Sequence, residues 1–149
     1  MKKLWPLLLA LVAGALWYVE RPAGVTPVGI ERRAPVERAT ENDIEALFEQ
    51  RRSDVQVRGV GTVSTTLSDD DEGSRHQRFI LELASGHTLL IAHNIDLAPR
   101  IDSLRKGDRV EFYGEYEWNE KGGVIHWTHH DPQGRHVGGW LKHQGRVYQ

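Results

Sequence analysis

Between Val124 and His136 the chain reads Val124-Ile125-His126-Trp127-Thr128-His129-His130-Asp131-Pro132-Gln133-Gly134-Arg135-His136, and His143 follows shortly after. This stretch and His143 hold five of the eight histidines in the sequence. Imidazoles beside a carboxylate can ligate a divalent metal or move protons in acid–base catalysis. On a helix, His126 and His130 would share a face, as in zinc proteases. That motif needs a glutamate after its first histidine, and Trp127 stands there instead. Gly122-Gly123 before the run and Asp131-Pro132-Gln133-Gly134 at its end favour a strand that closes in a turn. In a strand, His129 and Asp131 share a face, while His126 and His130 lie on the other, roughly 13 Å apart. The turn can then bring His136 back, so His129, Asp131 and His136 form the candidate ligand set for zinc or another divalent metal, with His126 supporting it from behind. The competing reading is structural: Asp131 caps its own turn, a histidine bonds to it, and the tryptophans pack.

A second chemistry rests on Trp118, Trp127 and Trp140, since aromatic platforms in barrel grooves stack on bases or sugars. The acidic run Asp69-Asp70-Asp71-Glu72 offers oxygens for calcium but lacks the spaced pattern of a calcium loop, so it reads as a solvated hairpin tip. His76, His87 and His93 are single histidines near strand ends and read as surface or hydrogen-bonded residues.

These groups need a scaffold, and the pattern supplies strands. Val55 to Leu67 is long and β-branched, with Gly59 and Gly61 marking a bend. Phe79, Leu81 and Leu83 alternate with polar neighbours, and Ser85-Gly86 turns into a third strand, Thr88 to His93. Asp96 with Leu97, Ile101 and Leu104 predicts a short helix. Arg109 to Trp118 is the fourth strand and Val124 to about His130 the fifth. Trp140-Leu141 and Val147-Tyr148 form a last small hairpin. Ahead of the strands, Thr40 and Asp43 open a helix whose Ile44, Leu47 and Phe48 make one apolar stripe, closed by Arg51-Arg52. The order predicts a mainly β fold: a five-stranded OB-like barrel with one N-terminal helix and one short helix between strands three and four.

Lys2-Lys3 followed by the apolar run Leu4 to Val19 reads as a signal peptide or a membrane anchor over residues 1–20. Ala13-Gly14-Ala15 favours cleavage, whereas Trp17-Tyr18 suits a membrane interface. A proline-bearing linker over 21–39 follows, then the barrel domain at 40–149. The expected place is outside the cytoplasmic membrane, either anchored facing the periplasm or extracellular side, or released into the periplasm. The net charge of −2 weighs against nucleic acid, since phosphate binding depends on Lys and Arg. The sequence has no cysteine, which excludes disulfides, thiolate nucleophiles and a lipoprotein anchor.

The run from Val124 to His136, with Gly139-Trp140, Gly145 and the closing Tyr148-Gln149, resembles an uncharacterised family of short exported bacterial proteins. Asn94-Ile95-Asp96-Leu97-Ala98-Pro99-Arg100 and Gly114-Glu115-Tyr116-Glu117-Trp118-Asn119 carry the same resemblance. It implies an envelope-facing domain and assigns no activity or catalytic residue. In strand order alone the chain is also similar to exported bacterial OB-fold domains and to staphylococcal-type nucleases, whose arginine and carboxylate constellation it lacks. The expected function is a ligand-binding or envelope-associated module, its partner a membrane through the N-terminal segment and its ligand a small envelope molecule or glycan. The alternative is a metal-dependent hydrolase using the His/Asp/His cluster.

Overall fold

The computed structural model describes residues 41–149, and the expected signal or anchor, the linker and the Thr40 cap lie outside them. Helix α1 (Glu41–Glu49) is followed by β1 (Val55–Thr66), β2 (His76–Glu82), β3 (Thr88–Asn94), β4 (Arg109–Glu117), β5 (Val124–His126), β6 (Trp140–His143) and β7 (Arg146–Tyr148). β1 pairs antiparallel with β2 and, from Val55 to Thr62, with β4; β2 pairs with β3. β5 closes the barrel by pairing parallel with β3 and antiparallel with β4. The result is the expected five-stranded OB-like barrel, with the hairpin β6–β7 added to the edge of β4.

Alternation builds the core. Val110, Phe112 and Tyr116 of β4 point inward against Phe79, Leu81, Leu89, Ile91 and Ile125. Arg109, Glu111, Tyr113, Glu115 and Glu117 therefore face outward, by the two-residue period of a strand. β1 must serve both halves of the barrel, so it bends. At Gly59 a Cβ would lie 2.6 Å from the ring of Phe112, and glycine lets the strand pass close over that ring.

Helix α1 buries Ile44 and Leu47 and ends in a Schellman motif. The Arg52 N–H donates to the Leu47 carbonyl and the Arg51 N–H to that of Phe48 (3.0 and 3.1 Å). Arg51 holds the left-handed conformation that glycine usually takes there (φ 54°). Its guanidinium lies over the Trp118 ring at 5.4 Å, a contact that offsets part of that strain.

The short helix expected from Asp96 to Leu104 is absent; the segment runs as successive turns. Asp96 does not cap it. Its carboxylate accepts the backbone N–H and the Nε–H of Arg75 (both 2.8 Å), which hold it below the usual carboxylate range. The capping role passes to Asn94, whose Oδ1 accepts from Asp96 and Leu97 N–H (2.9 and 3.2 Å). Pro99 then stops propagation, because it has no N–H to continue a helix. The buried Gln77 side chain completes the crossing: Nε2 donates to the Ile101 carbonyl and Oε1 accepts its N–H (2.9 and 2.8 Å). Among the described residues no helix is long and apolar enough to cross a membrane.

Candidate functional site

The histidine-rich run leaves the barrel after His126. β5 and β6 pair with the same edge of β4, β5 opposite Glu115 to Glu117 and β6 opposite Val110 to Tyr113. The chain between them, 127–139, is thus an excursion whose two ends lie side by side, the geometry of an Ω-loop. The expected strand to His130 stops at His126, because Trp127 takes φ 51° and breaks the alternation. A bulky residue in that region is strained and is held there only by its surroundings. The Trp127 indole stacks on the His136 ring (centroids 3.9 Å apart, planes 8° apart). Its carbonyl packs against Gly139, where a side chain would clash with it.

Thr128 then turns inward, and its hydroxyl donates to His93 Nδ1 (2.8 Å). His93 Nε2–H donates to the Pro99 carbonyl (3.1 Å), so the neutral imidazole is satisfied at both nitrogens. Burial pushes its pKa down to about 4, with the nearby His129 and His76 adding to the effect against the bond to Pro99.

The three expected metal ligands are placed in one loop but face different partners. The N–H groups of Gln133, Arg135 and His136 all donate to the Asp131 carboxylate (2.9, 2.7 and 2.8 Å). These bonds, that from Gln133 first, hold it below the usual carboxylate range. His129 Nδ1–H donates to the His130 carbonyl (2.7 Å). His136 turns away to Glu115, its Nε2 2.7 Å from Oε2. Among the described residues no three His, Asp or Glu side chains form a group that could hold a metal ion. Asp131 organises the loop: its two oxygens gather the amides that carry His136 back toward the barrel.

The side chains that do meet are Glu115, His126, Glu117 and His136. Glu115 and His126 are cross-strand partners on the outer face, with His126 Nε2 3.3 Å from Glu115 Oε1 and 3.6 Å from Glu117 Oε2. Each oxygen of Glu115 therefore faces one imidazole, and the pair of contacts fastens the loop's start and end to β4. Glu115 and Glu117 stand outside the ligand set that the sequence suggests. Their signal was available as two carboxylates at strand spacing, but the register that sets them opposite His126 was not.

Beside this network a pocket of about 200 Å³ is lined by His76, Ala92, Asn94, Leu97, His126, Trp127 and His129. Four stretches of chain meet in it: the start of β2, the end of β3, the turn after it, and the β5–loop junction. Of the three tryptophans, Trp127 alone lines this pocket. Trp118 is built into helix packing, its Nε1–H donating to the Phe48 carbonyl (3.0 Å) and its ring stacked on Phe48 at 6.4 Å. Trp140 lies under the Arg58 guanidinium (5.4 Å) in a separate groove of about 400 Å³ with Lys142 and Val147.

Other histidines have structural partners. His87 donates to the Gly122 carbonyl (2.7 Å), and the buried His143 to Asp108 (2.9 Å). The acidic loop is neutralised in part rather than free, since Asp69 pairs with Arg100 (2.9 Å) and Asp70 approaches Arg78 (3.8 Å).

No curated protein matches the chain. Among solved structures, it is similar to that of the hypothetical protein ygiW from E. coli, at 22% identity and a TM-score of 0.39, over 60% of this chain and 82% of that one. The family described as protein of unknown function (DUF3465) matches residues 31–149, which take in the whole barrel and the 127–139 loop. The chain belongs to that family.

Proposed function

We propose that the chain is an exported, membrane-tethered binding module that holds a small ligand in the pocket beside the 127–139 loop. The observation that carries this reading is the strained Trp127, fixed at φ 51° by its stack on His136 while it lines a pocket with His76, His126 and His129. Backbone strain of this kind costs on the order of 1–3 kcal/mol and persists where surrounding structure enforces it, often at ligand sites. A binding role fits better than metal-dependent hydrolysis, because Asp131 and His136 are directed to other partners within the loop.

The test is a nuclear magnetic resonance titration of the full chain in detergent micelles with a library of soluble sugars, amino acids and organic acids. At least one compound is expected to shift the Trp127 indole N–H and the His76 and His129 ring signals while leaving those of Trp140 in place. A library that moves none of these signals overturns the reading. The export part rests on Lys2-Lys3 and the apolar run after them. Cell fractionation in a bacterial host is expected to place the chain with the envelope; recovery in the cytosol sinks that part.

A further inference from the structure

The wall of the pocket, His76, Ala92, Asn94, Leu97, His126, Trp127 and His129, contains no Lys, Arg, Asp or Glu. Anionic ligands are ordinarily held by cationic side chains or by helix N-termini, and the lining offers no permanently charged side chain, only three imidazoles. The charged groups nearest by are already paired: Arg75 with Asp96, and Glu115 with His126 and His136.

Two polar groups of the wall have their hydrogen-bonding roles set by partners within the protein. His129 Nδ1 donates to a backbone carbonyl, which only accepts, so the neutral ring keeps its lone pair on Nε2. His126 Nε2 lies 3.3 and 3.6 Å from two carboxylates and makes no hydrogen bond, so this ring sets no fixed demand on a ligand. Asn94 Oδ1 already accepts two backbone N–H groups, and its amide NH₂ remains as a donor. The wall thus combines a lone pair on His129 that wants a donor, an amide on Asn94 that wants an acceptor, and the apolar surfaces of Ala92, Leu97 and Trp127. Hydroxyl groups satisfy both demands with the same atom. A ring bearing several of them presents a C–H face to an indole.

Resting on the binding site proposed above, we infer that the ligand is an uncharged polyhydroxylated ring, a saccharide unit, rather than a phosphate- or carboxylate-bearing molecule. The volume of about 200 Å³ suits one such ring with its substituents, the rest of a longer chain passing out over the exposed Leu97.

The experiment titrates the full chain with N-acetylglucosamine, methyl glucoside and glucose 6-phosphate, following the Trp127 indole and the His76 and His129 ring resonances. The two neutral sugars are expected to shift these signals, and the phosphorylated sugar to bind at least about tenfold more weakly. Leu97→Trp places bulk at an exposed rim position and keeps the fold, so it is expected to abolish the shifts without changing thermal stability; His76→Ala is expected to weaken them. Glucose 6-phosphate binding as tightly as the neutral sugars overturns the inference, as does a response unaffected by Leu97→Trp. If both neutral sugars leave the signals unmoved while an amino acid or organic acid from the library moves them, the saccharide assignment fails and the binding site stands. If nothing moves them, both fail.

Discussion

Replacing Gly139 by alanine is expected to lower the unfolding free energy by about 3 kcal/mol, through overpacking that the backbone cannot relieve. The methyl would fall on the carbonyl oxygens of both Trp127 and Tyr113. Neither oxygen is the tip of a flexible side chain. One belongs to β4 and the other to the strained first residue of the loop, so relief requires the loop mouth to open. Its neighbour supplies the control: a methyl at Gly138 meets its nearest atoms at 3.4 Å, ordinary contact distance. Gly138→Ala is therefore expected to stay within about 0.5 kcal/mol of the parent, as surface changes usually do. Urea unfolding of the three proteins makes the comparison. A Gly139→Ala variant as stable as Gly138→Ala would show that the loop mouth is not closed in the way described, and would remove the support that keeps Trp127 at φ 51°.

The second large effect is with pH. His93 is fully buried and neutral, its pKa pushed down from 6.5 to about 4, chiefly by burial. In the unfolded chain this imidazole takes up a proton as pH falls through about 6.5, while in the folded chain it does so only near 4. Between those values the unfolded state binds more protons, so stability rises with pH and is lost on acidification. The contribution is fully present above about 6.5 and declines by about 1.4 kcal/mol per pH unit toward 4, about 3 kcal/mol in all. Below 4 this group adds no further loss. His93→Gln retains an acceptor for the Thr128 hydroxyl and a donor for the Pro99 carbonyl but does not titrate. The difference in unfolding free energy between parent and variant, measured from about pH 7.5 to about pH 4, isolates the histidine from the other titrating groups. A difference that stays flat across this window would mean that His93 is charged or solvated in the fold.

Much of the fold was legible from local pattern. The fourth strand opening at Arg109, the glycine-marked bend of β1 and the apolar stripe of α1 each depend on neighbours a few residues away, and each formed as expected. The segment after Asn94 did not. Asp96 has the identity of a helix cap, but Arg75, distant in sequence, presents a backbone N–H and a guanidinium N–H to the same carboxylate. Arg75 therefore takes it, and Pro99 offers no amide to prolong a helix. The candidate site was legible as a composition and misread as a geometry. The histidines, Trp127 and Asp131 belong together in one loop, as their density suggested, and Asp131 does cap its own turn. The facing of His129 with Asp131 required the strand to continue past His126, and a single left-handed residue ends it.

The sequence by itself determined the order of the barrel strands from the helix to the C-terminus, the bend of the first, and that the histidine-rich run closes in an Asp-Pro-Gln-Gly turn. Those outcomes follow from periodicity and from bonds within a few residues. Only the tertiary structure decided that β5 and β6 share one edge of β4, which sets Glu115 between His126 and His136. It alone decided that His76, Asn94 and Leu97 form a wall with Trp127 and His129. Those contacts join residues tens of positions apart, through a strand register that no local pattern encodes. Closure of the barrel fixes that register, because only one alignment buries the core residues of all five strands together.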